Sequence, residues 1–324
     1  MVFSRGSTLP EHKDLSSIIL PMCSVRFIPA TSLTSSVDHF NVGSNQTFEQ
    51  RFWYSSEFFD LKKGPIFLYI CGEYECSVRQ DRMFPFEVAK EHNAMFLYLE
   101  HRYYGASQPF DTHSVENLRF LTSRHALADL AVFLTEVNSK VVQNFGGEMR
   151  KVIVVGGSYP GAMAAWFKAK YPHVADAAWA SSAVVNAVED FDMFDYQIYN
   201  STMRSSESCT NTIQSMTKAF DSAVENNDLP TLKEIKKYFE AQNLENGDFA
   251  FFLADLFVGP IQYGNRTELC TFVESIANLE IMQKFQKTAE YTAGSHSVGS
   301  YNRYILKDET IVTSKSSRQW TYQY

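Results

Sequence analysis

One stretch constrains the fold more than any other: Val152-Ile153-Val154-Val155-Gly156-Gly157-Ser158-Tyr159-Pro160-Gly161. Four consecutive β-branched apolar residues suit a strand buried on both faces, as at the centre of a parallel sheet. Two glycines end the strand, and a helical run from Gly161 to Lys170 follows, stopping before Tyr171-Pro172. A serine on so tight a strand-to-helix turn is held up at the carboxyl end of the sheet, which is the setting of a nucleophile elbow. Small neighbours let strand and helix approach. The Tyr159 N–H stands at the helix start, where backbone dipoles favour negative charge, so it is the candidate oxyanion donor. The usual pattern is Gly-x-Ser-x-Gly, and Pro160 occupies its last position. Proline is tolerated there because its missing N–H would have no intrahelical partner. The plainer alternative is a glycine-rich turn carrying a buried serine.

The surrounding sequence supplies the rest of a sheet. Gly64-Pro65 precedes the apolar run Ile66–Ile70, and Ala94–Leu99 is a second such run. Lys151–Val155 is a third and Ala177–Ala183 a fourth. Between them, residues 82–92 read as a helix with Pro85 near its start. Ser123, as N-cap, opens another helix whose Leu127, Leu130, Ala131, Leu134 and Val137 recur at helical spacing. Alternating strands and helices over 60–185 predict an α/β fold, a parallel sheet with helices on both faces. The expected organisation is an irregular segment over 1–44 and an α/β core over 45–186. A mostly helical insertion over 187–310 follows, with helical periods at 212–226, 231–243 and 248–258, and 311–324 returns to the core.

Composition narrows the function classes. The 324 residues carry a net charge of −8 with no basic stripe, which argues against a nucleic-acid partner. At 45% hydrophobic the chain can bury a core. No run approaches the roughly 18 apolar residues of a membrane helix, and Ser17–Met22 is too short for a signal-peptide core. Gly156-Gly157-Ser158 lacks the lysine of a phosphate loop, no dinucleotide fingerprint follows a strand, and no metal-binding motif is visible, so neither cofactor nor metal is expected. Five cysteines include no C-x-x-C pair. Asn45, Asn200 and Asn265 head Asn-x-Thr sequons and are the candidate glycosylation sites. Glu100-His101-Arg102 follows a buried strand, which favours packing and hydrogen bonding over catalysis.

Longer segments then resemble a known family. Residues 156–173 (GGSYPGAMAAWFKAKYPH) resemble the nucleophile segment of the serine carboxypeptidase S28 family, the Pro-Xaa serine exopeptidases. That family more often has glycine where Pro160 stands. Thr47–Trp53, Gly64–Glu73, Leu121–Leu130 and Arg318–Gln323 are also similar to it, and Leu99–Phe110 (LEHRYYGASQPF) is nearly its signature. The resemblance runs from about 45 to 323. It implies an α/β-hydrolase fold with a helical insertion capping the active site. It implies a Ser–Asp–His triad in that chain order, with Ser158 as nucleophile. The implied enzymes are secreted or lysosomal and cleave next to proline near a peptide terminus. Gly72 and Glu73 are then the candidate second oxyanion loop, and Cys209 with Cys270 the candidate disulfide. A peptide with proline near one end is the implied partner. A homodimer, and either carboxypeptidase or dipeptidyl-aminopeptidase specificity, stay open.

The triad Asp and His that the resemblance implies come well after the insertion and are expected to be absent from this chain, which ends at Tyr324. After Ser158 only His173 and His296 occur. His173 ends the elbow helix and reads as structural, while His296 falls in the insertion. The expectation is therefore a C-terminally truncated chain with the last strands missing, a sheet edge exposed and marginal stability. The competing readings are a peptide-binding homologue without catalysis and an esterase or lipase on the same fold.

Overall fold

The computed structural model describes residues 31–76, 83–310 and 318–323. The sheet grows outward from its most apolar strands. Strands β3 (Ile66–Ile70), β4 (Met95–Leu99) and β5 (Val152–Gly157) pair in parallel and are buried almost throughout. Strands β1 (Thr31–Ser36) and β2 (Thr47–Ser55) join antiparallel to each other, and β2 joins β4 antiparallel. The edge strand β6 (Ala177–Ser181) pairs in parallel with β5, giving the order β1-β2-β4-β3-β5-β6.

Burial follows position. Where β2 faces β1 it alternates, with Phe48 and Gln50 inside and Thr47 and Glu49 outside. From Phe52 to Ser55, beside β4, every residue is buried. Strand β1 corrects the reading of 1–44 as wholly irregular: its inward residues are Leu33 and Ser35, too few and too mixed for a periodic signal. Residues 1–30, which include Cys23 and the Ser17–Met22 run, lie outside the described residues.

Helices cover both faces. Helix α1 (Phe84–Glu91), with Pro85 in its first turn, packs Phe86 and Ala89 against Phe67, Phe96 and Tyr98. On the other face lie α2 (Ser123–Phe145) and α3 (Tyr159–Lys170). Leu130, Phe133, Leu134, Met163 and Phe167 meet Leu68, Leu97 and Val154 there. Each such side chain contributes about 1.5–3 kcal/mol when fully buried. The cap of α2 is Thr122, not Ser123: Thr122 is still extended and its Oγ accepts from the His125 N–H at 3.2 Å, while Ser123 is already helical. Strand β6 is different. Ala177, Ala178, Ala180 and Ser181 are open to solvent, and Trp179 alone is half-buried, its ring 5.8 Å from that of Phe84.

Residues 188–308 form a second compact unit of helices. The longer ones are α4 (Asp192–Met203), α5 (Glu207–Glu225), α6 (Leu229–Tyr238), α7 (Asn246–Gln262), α8 (Arg266–Ser275) and α9 (Ile281–Tyr291). Its core is aromatic, with Phe220, Phe249, Phe252, Phe257 and Phe285 buried together. Cys209 of α5 and Cys270 of α8 are disulfide-bonded. Helix α6 ends five residues short of the predicted 243. Glu240 adopts φ 54°, and the Ala241 N–H turns back to the Lys236 carbonyl at 2.9 Å, closing the helix. The remainder of the first unit is residues 309–324. Of these, Arg318 Nε donates to the His113 carbonyl at 2.6 Å, and residues 311–317 lie outside the description.

Candidate active site

The elbow at Ser158 is held in a conformation that side chains rarely adopt. Ser158 has φ 61° and ψ −129°, its N–H donates to the Ser181 carbonyl at 3.0 Å, and its own carbonyl accepts from the Ala162 N–H at 3.0 Å. Such a backbone persists only where its surroundings over-determine it, and it is typical of functional turns. The glycines make the turn sterically feasible. A Cβ on Gly161 would lie 2.8 Å from the Ser181 carbonyl oxygen, and one on Gly156 would run into the Pro160 backbone. Ser158 itself is exposed, so its hydroxyl is accessible. Tyr159 follows as the first residue of α3, with its N–H at the positive end of the helix.

Gly72 lies against this elbow. A Cβ at Gly72 would sit 2.7 Å from Cγ of Pro160. The proline that departs from the usual pattern is thus a packing surface for the loop after β3, and Gly72 must lack a side chain to meet it. Gly72 is buried and Glu73 half-buried. The loop is closed by a second disulfide, Cys71–Cys76, with Cα atoms 5.9 Å apart. Sequence reasoning missed this pair. The available signal was two cysteines flanking Gly72-Glu73 directly after a strand.

His101, which the sequence assigns to packing and hydrogen bonding, makes its hydrogen bonds at the elbow. His101 Nδ1 lies 2.7 Å from the Arg102 carbonyl and Nε2 lies 3.0 Å from the Tyr159 hydroxyl. A carbonyl only accepts, so Nδ1 carries the proton and Nε2 accepts from Tyr159. Burial brings the His101 pKa down to about 4, which keeps it neutral. Gln323 hydrogen-bonds the Tyr159 side chain as well and accepts from the Tyr104 hydroxyl at 2.8 Å. Burial raises the Tyr159 and Tyr104 hydroxyls, so both stay protonated donors. Arg102, fully enclosed, forks onto Asp129 at 2.7 Å through both Nε and a terminal nitrogen, and also donates to the Val37, Phe120 and Ser36 carbonyls. Burial pushes the Asp129 carboxyl up, but the charge and hydrogen bonds of Arg102, with the hydrogen bond to His39, outweigh it and leave it lowered.

No histidine hydrogen-bonds the Ser158 hydroxyl among the described residues. His173 lies beyond the far end of α3, twelve residues or about 18 Å of helix from the elbow, with its ring near Tyr171. His296 belongs to the second unit, where Nδ1 is 2.9 Å from Ser295 Oγ and the ring faces Tyr301. His101 has both nitrogens engaged. The sequon residues Asn45 and Asn265 are exposed, and Asn200 is half-buried on α4. Among the described residues no His/Cys/Asp/Glu cluster could hold a metal, and no helix is long and apolar enough to cross a membrane.

The strand order, the strained elbow and the helices on both faces define an α/β-hydrolase fold. The chain belongs to the serine carboxypeptidase S28 family, a family of serine peptidases, whose profile matches residues 35–324. It is 34% identical over 299 residues to "Probable serine protease EDA2" of Arabidopsis thaliana, covering 89% of this chain and 59% of that protein. To the human "Lysosomal Pro-X carboxypeptidase" it is 36% identical over 195 residues, covering 56% of this chain and 38% of the relative. The bovine protein of the same name is 34% identical over 205 residues, 61% of this chain and 39% of its own. The chain therefore matches less than two thirds of the length of each of these relatives.

Proposed function

We propose that the whole protein is a serine-type exopeptidase that cleaves peptide bonds next to proline near a peptide terminus, with Ser158 as nucleophile. The observation that carries this reading is the positive-φ elbow exposing Ser158 beside Gly72, in a chain of a serine peptidase family. In the proposed reaction Ser158 Oγ attacks the scissile carbonyl carbon. Its proton passes through a histidine base to the leaving amine as the C–N bond breaks. Water then hydrolyses the acyl-enzyme, and the proton returns by the same route. The base and its orienting aspartate are those the family implies. The Tyr159 N–H and the loop at Gly72–Glu73 steady the oxyanion of both tetrahedral intermediates. His101 and Gln323 fix the Tyr159 ring, which holds the first turn of α3 in place.

Proline specificity follows the relatives named as Pro-X carboxypeptidases. A lysosomal or secreted location has the same support. Two disulfides suit an oxidising compartment, and exposed Asn45 and Asn265 are open to glycosylation. The test is a fluorophosphonate probe with the full-length protein, alongside release of amino acids from Pro-Xaa and of dipeptides from Xaa-Pro substrates. Labelling and turnover are expected to vanish in Ser158→Ala. Labelling that survives this substitution would sink the nucleophile assignment.

A further inference from the structure

Glu100 is the most heavily engaged carboxylate near the elbow, and the proposed reaction gives it no direct part. Its side chain is fully buried and accepts six hydrogen bonds. These come from Arg51 Nε at 2.8 Å and its terminal nitrogen at 2.5 Å, and from the Cys76 N–H at 3.1 Å. The others come from the Ala106 N–H at 3.2 Å, the Ser107 N–H at 3.1 Å and the Ser107 hydroxyl at 2.6 Å. A carboxylate offers about four lone-pair directions, so every acceptor site is filled or shared. Packing alone does not require this. A buried carboxylate needs its charge paired, which Arg51 already does.

The chain segment these bonds organise is the one packed on Pro160. The loop 71–76 is tied at its entry, where the Cys71 N–H donates to the Leu99 carbonyl at 3.2 Å. It is tied at its exit, where the Cys76 N–H meets Glu100 Oε1. The Cys71–Cys76 disulfide joins entry to exit. Arg51 adds a third tie, its terminal nitrogen bridging Glu100 to Glu75 at 3.1 Å within the loop. Both anchoring residues, Leu99 and Glu100, are consecutive at the end of β4, so the loop is fixed to one rigid point of the sheet. Gly72 and Glu73 lie inside this ring.

We infer that Glu100 is a positioning residue of the peptidase site: with the Cys71–Cys76 disulfide it holds the Gly72–Glu73 loop at the distance from Ser158 that the oxyanion requires. The inference rests on the serine-peptidase reading above. An oxyanion donor acts only when it stands within hydrogen-bond reach of the developing charge before the reaction begins. In Glu100→Gln one oxygen becomes an NH2 donor. It then faces either the Cys76 N–H and the Arg51 terminal nitrogen or the donors of Arg51 Nε, Ala106 and Ser107. Either orientation sets donor against donor and loosens one side of the clamp. Opening the ring in Cys71→Ser/Cys76→Ser frees the loop without touching the carboxylate.

The test measures kcat and KM, the rate of fluorophosphonate labelling and the thermal midpoint for the full-length wild type, the two variants and their combination. Loss of a single oxyanion donor lowers kcat about 10²–10³-fold, so a misplaced loop is expected to lower kcat and labelling rate about 10-fold or more. KM should move less than about 2-fold, since the ground-state carbonyl makes little use of the hole. The combined variant should fall little below the worse single one, because both act on one loop. Midpoints that drop while kcat and labelling of the folded variants stay at wild-type values would overturn the inference. So would losses that multiply in the combined variant. If Glu100→Gln does not fold, the cysteine variant decides, with unchanged kcat overturning the inference and lowered kcat at constant KM supporting it. A wild type that is never labelled at Ser158 overturns the peptidase reading itself and this inference with it, which separates the two failures.

Discussion

Burial of His101 makes the stability of the sheet unit depend on pH in a way that can be worked out. The imidazole has an ordinary value near 6.5, and enclosure brings it to about 4. In the unfolded chain it titrates near 6.5. Between these values the unfolded chain binds a proton that the folded chain refuses, so stability falls as pH falls. The loss begins near pH 6.5, continues to about pH 4, and grows no further below that. From pH 7 to pH 5 the linkage relation gives about 2 kcal/mol from this one residue. The four tryptophans, at positions 53, 166, 179 and 320, all lie in the sheet-bearing unit, so their fluorescence follows that unit in urea. His101→Gln is the informative variant. Its amide can donate to the Arg102 carbonyl and accept from Tyr159, and it does not titrate. Wild type is expected to lose about 2 kcal/mol more than the variant between pH 7 and pH 5. His113 is also lowered to about 4, by burial and by Arg318, and it is common to both proteins, so it drops out of the difference. The depressed carboxyls of this unit, Asp38, Asp60, Asp129 and Asp176, lose their contribution near and below the ordinary carboxylate range, under this window. Parallel stability curves for the two proteins over pH 5–7 would refute the argument that His101 stays neutral.

Two further outcomes follow from the same region. Asp129→Asn leaves the enclosed Arg102 guanidinium without its countercharge, and breaking a buried pair in this way costs about 3–5 kcal/mol in a urea titration; a loss under about 1 kcal/mol would show that the pair is unimportant. Gly72→Ala places a methyl on the Pro160 ring, so it is expected to lower the labelling rate of Ser158 about 10-fold or more, and adding Pro160→Gly should restore most of it by removing the obstructing ring.

What the sequence made legible was what lies along it. The continuous apolar runs of β3, β4 and β5 declare strands covered on both faces, and Gly156-Gly157-Ser158 declares a turn that only a strand-to-helix crossover accommodates. Helix α2 announces itself by its spacing. Strand β1 does not, because half of its pattern is supplied by its partner β2 and its inward residues include Ser35, whose hydroxyl is satisfied by Gln50 at 2.8 Å. The Cys71–Cys76 bond was equally hidden. A disulfide over five residues depends on how the loop folds back to the sheet, and that return is set by Leu99 and Glu100, some twenty-five residues downstream.

Glu100-His101-Arg102 shows why a run of charged residues reads as packing in sequence and as a junction in space. Past the end of β4 the three side chains address three different elements. Glu100 takes the loop after β3, His101 takes the first residue of the elbow helix, and Arg102 takes α2 through Asp129 together with the carbonyls of Ser36, Val37 and Phe120. None of these partners is within fifteen residues in sequence, so no local pattern announces them. Each contact is made by a group whose desolvation is severe unless its particular partner is present. An apolar junction could slide among neighbouring packings at small cost. A polar one with every donor and acceptor assigned has a single low-energy arrangement. The residues that follow strand β4 therefore tie the loop after β3, through Glu100, and the elbow helix, through His101, to consecutive positions at one end of the sheet.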